Sequence, residues 1–174
     1  MIQLVVSDSS CLIDLRKGGL LSTTLLLPFR FVVALPLIAA ELHGFTEGDW
    51  KDLKARGLDI VDLSAQQVKR AFELKSAHAA LSPYDCFSLA LAESNPGSIL
   101  LTGDRQLRQR AISLRVEVHG VLWVADQIER TGNMPISDLL EALERWDVDP
   151  LVFLPKKQLV TTIERLRKSL SRQT

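Results

Sequence analysis

The sequence has few cysteines, and none of them is arranged to bind a metal. Its 174 residues include only Cys11 and Cys86, and neither belongs to a C-x-x-C pair or to a Cys/His cluster. A zinc site is therefore not indicated. We expect both thiols to stay reduced and to pack as small apolar side chains, as is usual in a cytoplasmic protein.

The sequence also lacks an excess of either charge and a long uninterrupted apolar run. Lysine plus arginine and aspartate plus glutamate number 21 each, so the formal net charge is zero. A nucleic-acid partner would then need a local basic patch or bound cations. The apolar segment 20–42 is interrupted by Pro28, Arg30 and Pro36, which argues against a membrane span. The N-terminus has no signal-peptide pattern, and we expect a cytoplasmic location.

What the sequence does contain is a regular alternation of short apolar strands and helical patterns. Strands are predicted at 2–6, 31–34, 58–63, 98–101 and 116–118. Helical patterns lie between them, including 11–17, a short apolar helix at 20–27, 65–77, 83–93, 105–114 and 121–131. This alternation predicts an α/β sandwich with a mainly parallel central sheet. After residue 132 the pattern changes to two helices, so we predict a first domain at 1–132 and a helical C-terminal extension at 133–174.

The first strand ends in an acidic residue. Asp8 follows the apolar run 4–6, and either Ser9 or Ser10 is expected to cap the helix that begins next. Open α/β sheets build their ligand sites at such carboxyl ends of strands. Asp8 is therefore the first candidate site residue.

Three further acids occupy comparable positions. Glu41 lies on the helix after the second strand, Asp85 at a helix start with Ser82, and Asp104 after a later strand. Taken singly, each has an ordinary explanation as a helix cap, a capping-box partner or a solvated charge. Taken together, four converging carboxylates repel one another unless cations are present, and they suit Mg²⁺ or Mn²⁺. Such a site can polarise a phosphodiester and activate a water.

Four blocks that carry these acids resemble the signature blocks of the PIN domain, in the same order. The blocks are VVSDSSCLIDL, LPLIAAELHG, SPYDCFSLALAE and ILLTGDRQLR, and the later segment VEVHGVLWVADQIERTG resembles the one that closes the fold in many prokaryotic members. The resemblance covers about residues 1–132. It implies a Rossmann-like α/β/α sandwich, an acidic metal pocket and metal-dependent cleavage of single-stranded RNA.

The resemblance also assigns roles to individual residues. It implies that Asp8, Glu41, Asp85 and Asp104 hold the metal, and that the small hydroxyls of Ser10 and Thr102 support the pocket. Many prokaryotic members are VapC-type toxins neutralised by a small antitoxin, and homodimers are common. The apolar segment 20–27 is a candidate dimer contact. The tail after residue 134 resembles longer members rather than the compact toxins.

Other charged residues have less specific patterns. Arg105 and Arg108 follow Asp104 and are candidates for contacts with RNA phosphates, although a solvated helix face also explains them. Asp14 is predicted to be a solvated charge early in a helix. Asp126 and Glu129 are predicted to lie on the surface.

Two other functions remain open at this point. A haloacid-dehalogenase-like phosphatase would use Asp8 as its nucleophile, but that chemistry needs a second acid two residues later, where Ser10 stands. A non-catalytic PIN-like binding module would not need the four acids.

Overall fold

The computed structural model describes residues 2–172, which form five strands and ten helices. The strands are β1 (Gln3–Ser7), β2 (Phe29–Ala34), β3 (Asp59–Val61), β4 (Ile99–Leu101) and β5 (Glu117–His119). The helices of the first half are α1 (Ser9–Gly18), α2 (Leu21–Thr24), α3 (Leu35–Glu41), α4 (Glu47–Ala55) and α5 (Ala65–Ala77). Those of the second half are α6 (Pro83–Glu93), α7 (Arg105–Ser113), α8 (Val121–Thr131), α9 (Ile136–Val148) and α10 (Lys156–Ser171).

All five strands run parallel in one sheet with the order β3-β2-β1-β4-β5. The central strand β1 pairs with β2 and β4, with Val5 opposite both Phe31 and Ile99. Val5 and Val6 are fully buried, because helices cover both faces of a parallel sheet. The predicted α/β/α sandwich with a parallel central sheet and C-terminal helices is confirmed.

Helix starts follow the local capping signals, with one correction. Ser82 and Asp85 form a reciprocal capping box at the start of α6, and Ser64 and Gln67 do the same at α5. The N-cap of α1 is Asp8, and the prediction that Ser9 or Ser10 caps it is wrong. Asp8 is the last residue with an extended backbone before the helix, and its carboxylate accepts a hydrogen bond from the Cys11 amide.

The apolar segment 20–27 is less helical than its sequence predicts. Only Leu21–Thr24 is helical, because Leu26 and Leu27 form tighter turns onto Thr23 and Thr24 before Pro28. Leu26 is exposed, whereas Leu27 is buried in the protein's own core. A dimer contact through this segment stays a prediction.

The two C-terminal helices pack onto the sheet layer rather than extending from it. Trp146 of α9 is buried against Gly18 of α1, and its Nε1 donates to Asp14 O at 2.7 Å. A Cβ on Gly18 would lie 2.7 Å from the Nε1 of Trp146, so glycine is required for this close approach. Arg165 of α10 pairs with Glu129 of α8 at 2.5 Å. The domain boundary at residue 132 stays a prediction.

None of the helices within residues 2–172 is both long enough and apolar enough to cross a membrane.

Candidate functional site

The sheet has one topological switch point, at the carboxyl ends of β1 and β4. From β1 the chain moves outward to β2 and β3, and then it returns to the other side of β1 to form β4 and β5. The connections that leave these two central strands diverge, and such a crevice is where open α/β sheets bind ligands. Asp8 follows β1 and Thr102 follows β4 at this point, and the amide of Asp8 donates to Leu101 O at 3.0 Å.

Asp8 is a buried carboxylate with hydrogen bonds to both of its oxygens. Its Oδ1 accepts from the Ser10 hydroxyl at 2.9 Å and from the Cys11 amide at 2.8 Å, and its Oδ2 accepts from the Thr102 hydroxyl. The residue is only 5% exposed. These donors come from the first turn of α1 and from the end of β4, so the fold itself fixes the carboxylate in the crevice.

Burial and hydrogen bonding act on Asp8 in opposite directions. Burial raises the pKa of Asp8 above its ordinary value, while the hydrogen bonds from Thr102, Cys11 and Ser10 lower it in part. Burial, together with the negative charge of Asp8, also raises the pKa of the neighbouring Cys11 thiol well above its ordinary value. Cys11 is therefore a neutral thiol, and the crevice holds its charge on oxygen atoms.

Thr102 connects Asp8 to Asp104. Its hydroxyl donates a hydrogen bond to Asp8 and accepts one from the Asp104 amide at 3.0 Å. Asp104 is the N-cap of α7, where its Oδ1 accepts from the Leu107 amide at 2.6 Å. The structure thus brings Asp8, Thr102 and Asp104 together through one chain of hydrogen bonds, with Ser10 beside them.

Glu41 reaches the crevice through a hydrogen bond, whereas Asp85 makes its hydrogen bonds at the start of its own helix. Glu41, at the end of α3, accepts a hydrogen bond from the hydroxyl of Ser9, which directly follows Asp8. Asp85 is bound to the start of its own helix, where its Oδ2 accepts from the Ser82 amide at 2.7 Å. Within residues 2–172, no three His, Cys, Asp or Glu side chains come close enough to hold one metal ion. The predicted convergence of all four acids is therefore not present as a closed cluster.

The chemistry of the donors nevertheless suits a hard divalent cation. Throughout the described part of the chain, none of Asp8, Glu41, Asp85 and Asp104 makes an ion pair with a lysine, arginine or histidine. Mg²⁺ keeps several waters and is usually held by one or two carboxylates plus substrate phosphate oxygens. A closed cage of three acids is therefore not required, and Asp8 with Asp104 supplies the oxygen ligands that such an ion prefers.

Of the two arginines predicted to contact phosphate, Arg108 is held at the crevice. Its guanidinium donates to Thr102 O at 3.1 Å and to Val118 O at 3.3 Å, across the ends of β4 and β5. Among residues 2–172 it has no carboxylate partner, so its positive charge remains available. Arg105 is exposed at the start of α7, and its phosphate contact stays a prediction.

The sequence prediction missed two features beside the crevice. Asp14 was expected to be solvated, but it is half-buried, and burial raises its pKa to about 6. His119 stacks on Trp123 with ring centroids 4.6 Å apart and planes 10° apart. Residues that share a cavity with Asp14, such as Phe153 and Gln158, lie far along the chain, so no local signal could have shown this environment. His119 lies on β5 and Trp123 on α8, so helical spacing could not have indicated their stacking.

A comparison with protein families gives one match. A family model described as a PIN domain matches residues 4–168, which include most of the two C-terminal helices. No curated protein matches the chain.

Proposed function

Because the chain belongs to the PIN-domain family, whose members are in general metal-dependent nucleases, we propose that it is a ribonuclease that cleaves single-stranded RNA. This proposal rests on the buried carboxylate of Asp8 at the switch point of the sheet, which pairs with no cationic side chain among residues 2–172. A buried carboxylate without a cationic partner is suited to bind a metal ion that also contacts a phosphodiester.

The residues of the crevice divide into three roles in this proposal. Asp8, Glu41, Asp85 and Asp104 would hold Mg²⁺ or Mn²⁺, directly or through water. Ser10 and Thr102 hold Asp8 in place by the hydrogen bonds described above. When bound, the metal polarises the phosphodiester and lowers the pKa of the attacking water.

Arg108 supplies the positive charge that the acidic crevice otherwise lacks. Its guanidinium is fixed by two backbone carbonyls, so little conformational entropy is lost when it meets a phosphate. Charge-assisted contacts to phosphate oxygens position the strand without reading its sequence. We assign Arg105 to the same role from the exposed first turn of α7.

The choice of single-stranded RNA rests on the resemblance of four sequence blocks to PIN-domain signatures. The toxin role, a small antitoxin partner and a homodimer belong to the same proposal, and they rest on that resemblance alone. The long C-terminal segment, which packs on α1, distinguishes the chain from the compact toxin form.

A direct test uses the full chain, labelled single-stranded RNA, and matched double-stranded RNA and single-stranded DNA. We expect cleavage of the single-stranded RNA with Mg²⁺ or Mn²⁺, loss of cleavage in EDTA, and recovery when excess Mg²⁺ is added. Cleavage that persists in EDTA, or a preference for DNA, would contradict the proposal.

The phosphatase alternative makes a different prediction. It requires a phosphate covalently bound to Asp8 and a second acid two residues later, where Ser10 stands. We expect mass spectrometry after incubation with a small phosphomonoester to find no phosphate on Asp8. The binding-module alternative predicts that calorimetry detects no Mn²⁺ binding, whereas a nuclease must bind the ion.

A further inference from the structure

A cavity of about 340 Å³ lies beside the crevice, between α1, the ends of β4 and β5, and the segment that joins α9 to α10. Its volume lies in the range of small-ligand sites, about 300–1,000 Å³. We call it the aromatic cavity. Its lining side chains that carry a ring or a polar group include Asp14, Arg108, His119, Trp123, Phe153 and Gln158.

The aromatic cavity is continuous with the environment of Asp8. Thr102 and Cys11 both line it, and each of them donates a hydrogen bond to a different oxygen of Asp8. A polymer that passes over Asp8 can therefore place its neighbouring unit in the cavity. This continuity makes the occupant a part of the same substrate rather than a separate ligand.

Three aromatic rings line this space. His119 and Trp123 stack with nearly parallel rings, and Trp123 also contacts Phe29, with 5.3 Å between ring centroids. Phe153 lies in the α9–α10 connection, and 82% of its surface is exposed. A large exposed aromatic side chain beside a rigid ring pair is the arrangement in which unpaired nucleobases stack.

The charges that line the cavity match a nucleotide. Arg108 provides a guanidinium that has no carboxylate partner among the described residues, and it can meet a backbone phosphate. Asp14 provides an acceptor of hydrogen bonds instead. Its half-buried carboxylate accepts no hydrogen bond from any residue of the described chain, so both of its oxygens can meet a ligand. An ionised carboxylate has acceptors only, so it needs a ligand edge that carries N–H donors.

Guanine is the RNA base that fits this requirement most completely. Its Watson–Crick edge presents two adjacent donors, N1–H and the N2 amino group. Adenine, cytosine and uracil each present donors and acceptors together, so one carboxylate oxygen would remain unpaired or face an acceptor. A buried acceptor left without its donor discriminates strongly against the wrong ligand.

We propose that the aromatic cavity binds a guanine base of the single-stranded RNA next to the cleaved phosphodiester. Asp14 accepts the two guanine donors, Phe153 stacks on the base, and Arg108 contacts the adjoining phosphate. This inference rests on the proposed ribonuclease function and adds a sequence preference to it.

The test measures RNA binding in EDTA at pH 8, where no cleavage is expected and Asp14 is ionised. Fluorescence anisotropy compares a labelled uridine-rich RNA that carries one guanosine with the same RNA that carries inosine, which lacks only the N2 amino group. We expect wild-type protein to bind the guanosine RNA roughly 10-fold more tightly. Asp14→Asn should reduce this ratio to about one.

Two phenylalanine variants separate stacking from general surface effects. Phe153→Ala should weaken the binding of both RNAs by about 5-fold or more, because base stacking does not depend on the amino group. Phe72→Ala is the matched control, since Phe72 is also exposed but lies on α5, outside the cavity. It should bind both RNAs as wild-type protein does.

The outcomes distinguish the cavity from the nuclease. Equal binding of the two RNAs by wild-type protein, or unchanged binding by Phe153→Ala, overturns the guanine subsite even if the protein cleaves RNA with Mg²⁺. Failure of wild-type protein both to bind RNA and to cleave it overturns the proposed function together with the subsite.

Discussion

At the scale of single residues, Asp8 and Asp104 have the same local role as helix caps but differ in their exposure to solvent. Both cap a helix after a strand, and each accepts an amide of the first turn. Asp104 is exposed, as an ordinary cap is, whereas Asp8 is buried. A serine or asparagine satisfies a cap equally well without burying a charge. The burial of Asp8 is therefore better explained by a role in ligand binding.

Asp14 gives a prediction about stability and pH. Its pKa is raised by burial to about 6, with a lowering effect from Lys17 and raising effects from Asp8 and Asp149. The folded state therefore binds more protons here than the unfolded state, and stability falls as the pH rises from about 4 through 6. Since Asp14 is only half-buried, Asp14→Asn should raise the free energy of unfolding by about 1 kcal/mol at pH 8.

The measurement is urea denaturation of both proteins in EDTA at several pH values. The stability difference between Asp14→Asn and wild type should shrink as the pH falls from 6 to 4, and it should vanish below about pH 4, where Asp14 becomes protonated in both states. A variant that is equally stable at pH 8, or less stable there, would contradict the burial of this charge. A residue that costs stability and lines a cavity is typical of a binding site.

At the scale of helices and strands, the docking of α9 on α1 is the contact that closes the aromatic cavity. Trp146 packs on Gly18, Lys17 pairs with Asp149 at 3.3 Å, and the connection that follows carries Phe153. The C-terminal segment thereby contributes a wall to a site whose acidic residues all lie before residue 105.

Gly18→Ala tests this contact. The added Cβ would lie 2.7 Å from Trp146 Nε1, so the indole must move, and we expect a loss of about 1–3 kcal/mol in the free energy of unfolding. Gly48→Ala in α4 is the control, because its nearest neighbour is Thr46 Oγ1 at 3.7 Å. The control should be neutral or up to about 1 kcal/mol more stable, since alanine favours helices. Equal stability of Gly18→Ala and wild type would show that the helices are not closely packed.

Elements with local signals could be predicted from the sequence, and the contacts between distant elements could not. The capping boxes of Ser64 and Ser82 gave the starts of α5 and α6, because a cap is determined within four residues. The strand ends that carry Asp8 and Asp104 were also predicted. The half-buried environment of Asp14 includes a contact from Trp146 of α9 to its backbone oxygen, and no local pattern specifies where α9 packs on α1.

At the scale of the whole molecule, zero net charge fits a protein that meets RNA through one crevice rather than through its general field. Several acids and bases in the described chain pair with one another, as Arg30 and Asp59 do. The acids of the crevice and Arg108 are not paired in this way. In the proposed function, a metal ion at the switch point of the sheet would supply the positive charge that meets the RNA backbone.

The most direct test of this account is the rate of single-stranded RNA cleavage by Asp8→Asn, measured beside wild type with saturating Mn²⁺. Asparagine keeps the cap and the size of the side chain but removes the charge. We predict a fall in rate of roughly 100-fold or more, an unchanged fold by circular dichroism, and full activity for the control Asp52→Asn on the exposed face of α4. A correctly folded Asp8→Asn that cleaves RNA at the wild-type rate would contradict the account.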